Sequence, residues 1–299
     1  MKNEENQKYG IIAILGEVNV GKSTLLNTLL NREISAVTHK VNTTREKVRG
    51  IASDGNTQIV LVDTPGLSSR TIKKDRSLLT HAWGAIIEAD FFLLVVDCTK
   101  PISQTLLHLF NELNAASKKL PDAILVINKI DKFSKEKLLL KSKEVNDYFS
   151  FKKTFMISAL RGYGVNDLRS WIYGTIPKSS WVYPKSKKHD MTIEKFLNEK
   201  TREIILLRIH QEVPYNLEVY TDEIEELRDG KLKVWQSIEV HNARHRAMLI
   251  GKSGQTIKSI SSNARSKMEK ALNKKIHLFL EVKLKKKKSI HIELAEGSF

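Results

Sequence analysis

The chain has 299 residues, 41% of them hydrophobic, and a formal net charge of +16; this length predicts two domains and this charge a polyanionic partner. The single cysteine, Cys98, excludes an intramolecular disulfide framework and suits a reducing compartment. The polar, partly acidic first residues and the lack of any apolar run near ~18 residues exclude a leader and a bilayer span, so a soluble cytoplasmic protein is expected.

In chain order, Ile11–Leu15 reads as a buried strand and Thr24–Leu30 has helical apolar spacing. Between them lies Gly16-Glu17-Val18-Asn19-Val20-Gly21-Lys22-Ser23, which fits the phosphate-binding spacing G-x-x-x-x-G-K-[ST]. Gly16 to Thr24 are therefore candidate nucleotide contacts: backbone N–H groups wrap the phosphates, Lys22 reaches the outer ones and Ser23 binds Mg²⁺. Asn42-Thr43-Thr44-Arg45 reads as a loop that orders when a γ-phosphate is bound, Thr44 completing the Mg²⁺ shell.

Further strands are predicted at Val48–Ser53, Ile59–Val62, Phe91–Val96, Ala123–Ile127 and Thr154–Ile157, alternating with helical stretches. That rhythm predicts an α/β class, a mostly parallel six-stranded sheet covered on both faces. Ligands in such sheets lie at the carboxyl ends of the strands. After Val62 comes Asp63-Thr64-Pro65-Gly66, with a carboxylate for Mg²⁺ and, at Gly66, an N–H for the γ-phosphate. After Ile127 comes Asn128-Lys129-Ile130-Asp131. A carboxylate at Asp131 accepts from N1 and N2 of guanine, a pair adenine does not offer; Asn128 braces the loop and the Lys129 stem covers the ring. Ser158-Ala159-Leu160 forms a third base loop, with the Ala159 amide a candidate donor to guanine O6.

The Ser/Lys/Pro-rich stretch 179–190 reads as a linker between a domain at 1–178 and one at 191–299. The latter opens with a helix from Thr192 to Gln211, followed by strands Leu217–Thr221 and Leu232–His241. Then come a short helix, the G-x-x-G loop Gly251-Lys252-Ser253-Gly254, a helix Ile257–Leu272 and a strand Ile276–Leu284. This order is the type II KH arrangement, in which the loop lets a single-stranded nucleic-acid backbone approach closely. Arg246, Ile250, Gly251, Lys252, Ser253, Gly254 and Lys258 are the candidate RNA contacts. The charge supports them: residues 231–291 carry a net +13, whereas 179–229 carry −3. The tail Lys283-Leu284-Lys285-Lys286-Lys287-Lys288 is either a solvated charge run or a phosphate contact, and the second is preferred.

The joint set Gly16–Ser23, Thr44, Asp63–Gly66, Asn128–Asp131 and Ser158–Leu160 resembles the five motifs of a translation-factor-type GTPase. With the C-terminal KH pattern, almost the whole chain resembles the Era family of GTPases. The resemblance implies GTP hydrolysis with Lys22, Thr44 and Gly66 at the transferred phosphoryl, Ser23, Thr44 and Asp63 around Mg²⁺, and K⁺ at Asn19. It also implies binding of the 3′ end of small-subunit ribosomal RNA in the GTP state during assembly of the 30S subunit. A monomer with loose attachment to the inner membrane is expected. Leu67 stands where Ras-type enzymes orient water with Gln, which predicts slow intrinsic hydrolysis. Glu17 replaces the usual Arg and is expected to point away from the phosphates, and His241-Asn242-Ala243-Arg244-His245-Arg246 departs from the family's pattern before the KH loop. Two alternatives remain: a membrane switch whose basic C-terminal region meets anionic lipid, and a GTP-dependent RNA scaffold with negligible hydrolysis.

Overall fold

Strands of Val, Ile, Leu and Phe without polar alternation must be covered on both faces, and the computed structural model shows this arrangement. It describes residues 6–32, 48–68, 76–208 and 217–285. Asn42-Thr43-Thr44-Arg45 and Lys286-Lys287-Lys288 lie outside the described residues. The chain separates into two compact units, Met1–Thr192 and Ile193–Phe299.

In the first unit β1 (Lys8–Leu15), β2 (Val48–Asp54), β3 (Thr57–Asp63), β4 (Phe91–Asp97), β5 (Asp122–Asn128) and β6 (Lys153–Met156) form one sheet. The order is β2-β3-β1-β4-β5-β6, with only β2 antiparallel to its neighbour. Alternate residues face opposite layers. Ile12, Ile14, Leu93 and Val95 pack under α1 (Lys22–Leu30) and α5 (Val165–Thr175). Ala13, Leu15, Phe92 and Leu94 pack under α2 (Arg76–Ile87), α3 (Gln104–Ala116) and α4 (Lys135–Asn146). The chain leaves β1 with β3 on one side and β4 on the other, so the loop after β1 opens at the point where strand order reverses.

Residues 177–190 run along the first unit rather than hanging between elements. Trp181 donates from Nε1 to the Asn56 carbonyl at 3.0 Å, and Tyr183 exchanges two bonds with the Gln58 side chain at 2.9 and 3.0 Å. Further on, Ile51 N donates to Lys188 O at 2.8 Å and Asp190 N to Arg49 O at 3.3 Å. The strap thereby pairs with β2, an edge strand whose polar backbone would otherwise face water or another chain. Met191 packs on the core beneath α1 and α5.

In the second unit α6 (Ile193–Arg208), α7 (Ala243–Ile250) and α8 (Gln255–Leu272) accompany a sheet β7 (Glu218–Glu226), β8 (Leu232–Val240) and β9 (Ile276–Leu284). β7 is antiparallel to β8, and β8 is parallel to β9. β7 continues five residues beyond the expected Thr221 through Asp222–Glu226. Its acids survive in a strand because lysines face them: Glu225 meets Lys233 at 3.1 Å and Glu226 meets Lys274 at 2.5 Å. A buried polar layer joins helix to sheet, with Thr201 Oγ1 donating to Gln236 Oε1 at 2.6 Å and Gln236 Nε2 to Thr221 Oγ1 at 3.0 Å. Among the described residues no helix is long and apolar enough to cross a membrane.

Candidate nucleotide and nucleic-acid sites

The loop between β1 and α1 is shaped by backbone that side chains resist. Gly21 has φ 100°, and a Cβ there would lie 2.3 Å from Asn128 Nδ2, so only glycine lets the Asn128 side chain close over the loop. Gly21 is also the N-cap of α1, whose first turn contains no acid, leaving the positive helix end for an anion. Lys22 Nζ donates to the carbonyls of Gly16 at 3.0 Å and Glu17 at 2.8 Å. It is 7% exposed.

Burial lowers the Lys22 pKa to about 8, with Asp63 and Glu17 opposing the shift. A phosphate held by the charged ammonium loses that partner as pH rises. Nucleotide affinity is therefore expected to fall about tenfold between pH 7 and pH 9, read from equilibrium titration of a fluorescent GDP. In the nucleotide-free protein the sign reverses. The unfolded chain keeps the proton between about pH 8 and the ordinary lysine value of 10.5, so this group's contribution to stability rises with pH across that window.

Ser23 Oγ donates to Asp63 Oδ2 at 2.7 Å, joining the start of α1 to the end of β3. Both offer hard oxygen, the donor type Mg²⁺ takes. Thr64 is anchored through its Oγ1 to Ile14 O at 2.8 Å. The next residues pair with the phosphate loop: Leu67 N donates to Gly16 O at 3.2 Å and Val18 N to Leu67 O at 3.0 Å. That bridge turns the Leu67 side chain into the core, where it is 2% exposed. A Gln at this position would carry its amide into the same apolar layer. Leu67→Gln is expected to cost about 1–3 kcal/mol of stability and to leave single-turnover hydrolysis no faster, measured by chemical denaturation and phosphate release. A rate increase would mean that the side chain reaches the nucleotide.

Glu17 points to α3: Ser103 donates from Oγ to Glu17 Oε1 at 2.5 Å and caps α3 by accepting from Leu106 N.

At the other side of the loop, Asn128 closes the end of β5. Its Nδ2 donates to Val20 O at 2.8 Å and its Oδ1 accepts from Ala159 N at 2.9 Å. Asn128 thus ties the phosphate loop to Ser158-Ala159-Leu160, and the Ala159 N–H expected at guanine O6 is directed at Asn128. Ser158 and Ala159 are buried, whereas Leu160 is 75% exposed. Asp131 is exposed in a short 3-10 turn. Lys129, at φ 68°, sends its Nζ to Asn19 O at 2.7 Å and to Asp97 Oδ2 at 2.6 Å. Asp97 was absent from the sequence expectations, although it too ends a buried strand, β4, where chemistry-bearing residues collect. Its burial favours the neutral acid, but bonds from Lys129 and Thr99 outweigh this and hold the carboxyl below its usual value.

In the second unit Asn242 caps α7 by accepting from His245 N at 2.8 Å, and α7 ends at Gly251. Gly251 is at φ 73°, and a Cβ there would meet Thr256 Oγ1 at 2.0 Å. Gly254, at φ 76°, has open space where a Cβ would stand. Between them Lys252 and Ser253 are exposed, as is Lys258 one turn into α8. Arg246 Nε donates to Val282 O at 3.1 Å, docking α7 on β9, while Ile250 is half-buried at the start of the loop. The loop and the first turns of α8 therefore present two cations beside the open backbone at Gly254, the surface a phosphodiester chain can approach.

Family profiles match in the same places: 50S ribosome-binding GTPase over residues 11–129 and KH domain over 212–289. The GTPase Era of Dinoroseobacter shibae is 39% identical, covering 95% of this chain and 92% of the relative. That of Rhizobium meliloti is 38% identical, covering 93% and 88%. Two crystal structures superpose with a TM-score of 0.86 and cover 93% of this chain and 94% of theirs. One, at 31% identity, is Era in complex with MgGDPNP and nucleotides 1506-1542 of 16S ribosomal RNA. The other, at 30%, is a point variant of Aquifex aeolicus Era bound to GDP.AlF4-.

Proposed function

The chain belongs to the Era family of GTPases, and from that premise we propose that it hydrolyses GTP to gate capture of the 3′ end of small-subunit ribosomal RNA during 30S assembly. The observation that carries this reading is the open Gly254 backbone between exposed Lys252 and Lys258, in a chain that also holds a complete phosphate loop. Residues 1–178 form the GTPase domain, 179–190 the connection and 191–299 the RNA-binding domain.

Gly16 to Thr24 take the phosphates through backbone N–H groups and Lys22 stabilises charge on the transferred phosphoryl. Ser23 and Thr44 would hold Mg²⁺ with Asp63 behind them, and the ion neutralises the phosphate oxygens when bound. Gly66 offers its backbone N–H to the γ-phosphate, and Thr64, Pro65 and Leu67 shape the segment that carries it. Asn128, Lys129, Asp131, Ser158, Ala159 and Leu160 frame guanine. No side chain orients the attacking water in this reading, because Leu67 lies in the core. Asn19 would hold K⁺, which would supply a cation there, so exchanging KCl for NaCl at equal ionic strength is expected to slow hydrolysis, with no such difference in Asn19→Ala. The protein works as a cytoplasmic monomer with weak peripheral attachment to the inner membrane, and the 30S particle is its partner.

The test is binding of a labelled oligonucleotide from the 3′ end of small-subunit rRNA to the full chain loaded with GDP or with GDPNP, at fixed salt. At least tenfold tighter binding with GDPNP is expected. Equal affinity in both states would overturn the gating, and no binding in either would overturn the RNA assignment.

A further inference from the structure

We propose that Asp97 is a positioning residue for nucleotide recognition, its carboxylate holding the Lys129 side chain across the base-binding loop and thereby setting how long the nucleotide stays bound. The proposal rests on the reading of Asn128–Asp131 as the guanine loop.

Asp97 is the last residue of β4, a strand buried along its whole length, and pairs in register with Asn128 of β5. Strand register alone thus places an acid beside the first residue of the recognition loop. The carboxylate is divided between two tasks. Oδ1 accepts from Thr99 N at 3.0 Å and Thr99 Oγ1 at 2.7 Å, which fixes its plane. Oδ2 accepts from Lys129 Nζ at 2.6 Å. Asp97 is 2% exposed and the Lys129 side chain 29%, so the pair sits where water screens it weakly.

Neighbouring bonds hold the same two segments together: Cys98 N donates to Asn128 O at 3.0 Å and Cys98 Sγ to Lys129 O at 3.3 Å. Lys129 is left-handed, a conformation costly for a side-chain-bearing residue unless its surroundings fix it. With Nζ bound at Asp97 and at Asn19 O, the aliphatic stem runs from the end of β5 to an ammonium fixed jointly by the β4 end and the phosphate loop. A purine lying on that stem meets a preformed surface, and one ordering cost is removed from binding.

Asp97→Asn separates this role from simple turn capping, because the amide oxygen still accepts from Thr99 while the charge opposite Lys129 is lost. Dissociation of a fluorescent GDP from the full chain is expected to be about 10–30 times faster. KM for GTP should rise in proportion while the single-turnover rate at saturation moves less than twofold. Asp97→Glu should restore most of the retention. Lys129→Met should match Asp97→Asn, and the double variant should be no worse than either alone, the signature of one shared interaction. Wild-type retention in Asp97→Asn, or additive losses in the double variant, would overturn the proposal. Competition of GDP against ADP on the wild type tests the guanine reading separately, so the two failures are distinguishable.

Discussion

Lys22→Ala is expected to slow single-turnover GTP hydrolysis by about 10³-fold, the loss associated with removing a charge-stabilising donor from a preorganised site. Lys22 is the first residue of α1, and its ammonium lies against Gly16 O and Glu17 O, so the loop's own carbonyls orient it. Lys129 also meets a loop carbonyl, but at Asn19 and with Asp97 holding it on the base side, so it is no substitute. Burial already disfavours the charged ammonium, so its removal should leave the melting temperature within a few degrees. Collapse of activity without collapse of the fold is the discriminating result. A rate within tenfold of wild type would remove Lys22 from the chemistry.

Gly254→Asp is expected to weaken binding of the rRNA oligonucleotide by about 100-fold or more, since a carboxylate facing a phosphate costs several kcal/mol. The position separates contact from folding: a Cβ at Gly254 meets nothing within 4 Å, whereas one at Gly251 would strike Thr256. Asp and Asn tolerate the left-handed backbone better than other residues. Gly254→Asn therefore controls for strain, and its affinity should fall between wild type and Asp. If Asn and Asp lose affinity equally, backbone conformation rather than charge governs the contact. If neither does, the RNA lies elsewhere.

Much of this was legible in the sequence because the central strands are buried on both faces. Phe91 to Val96 and Ala123 to Ile127 announce themselves without reference to partners, and each fixes the place of the residue that follows. Features that depend on pairing were not legible. The inward turn of Leu67 follows from its bridge to Glu17, fifty residues away in sequence, and nothing local specifies it. The acidic half of β7 reads as loop until Lys233 and Lys274 are seen opposite. Asp97 belongs to another class: its position was visible, but its importance came only from the Lys129 ammonium beside it. For residues 179–190 composition indicates a connection, and what it does not carry is the anchoring of Trp181 and Tyr183 in a stretch otherwise made of Ser, Lys and Pro.

The strap also changes how residues 179–190 respond to movement in the sheet they border. Twelve free residues would behave as a coil, in which a displacement at one end is averaged away before it reaches the other. Here the chain is hydrogen-bonded to β2 as far as Asp190, and α6 begins at Ile193. The strap therefore follows the edge of the first unit's sheet instead of moving freely. β2 leads through β3 to Asp63, so a displacement of that strand pair is carried along the strap rather than lost in it.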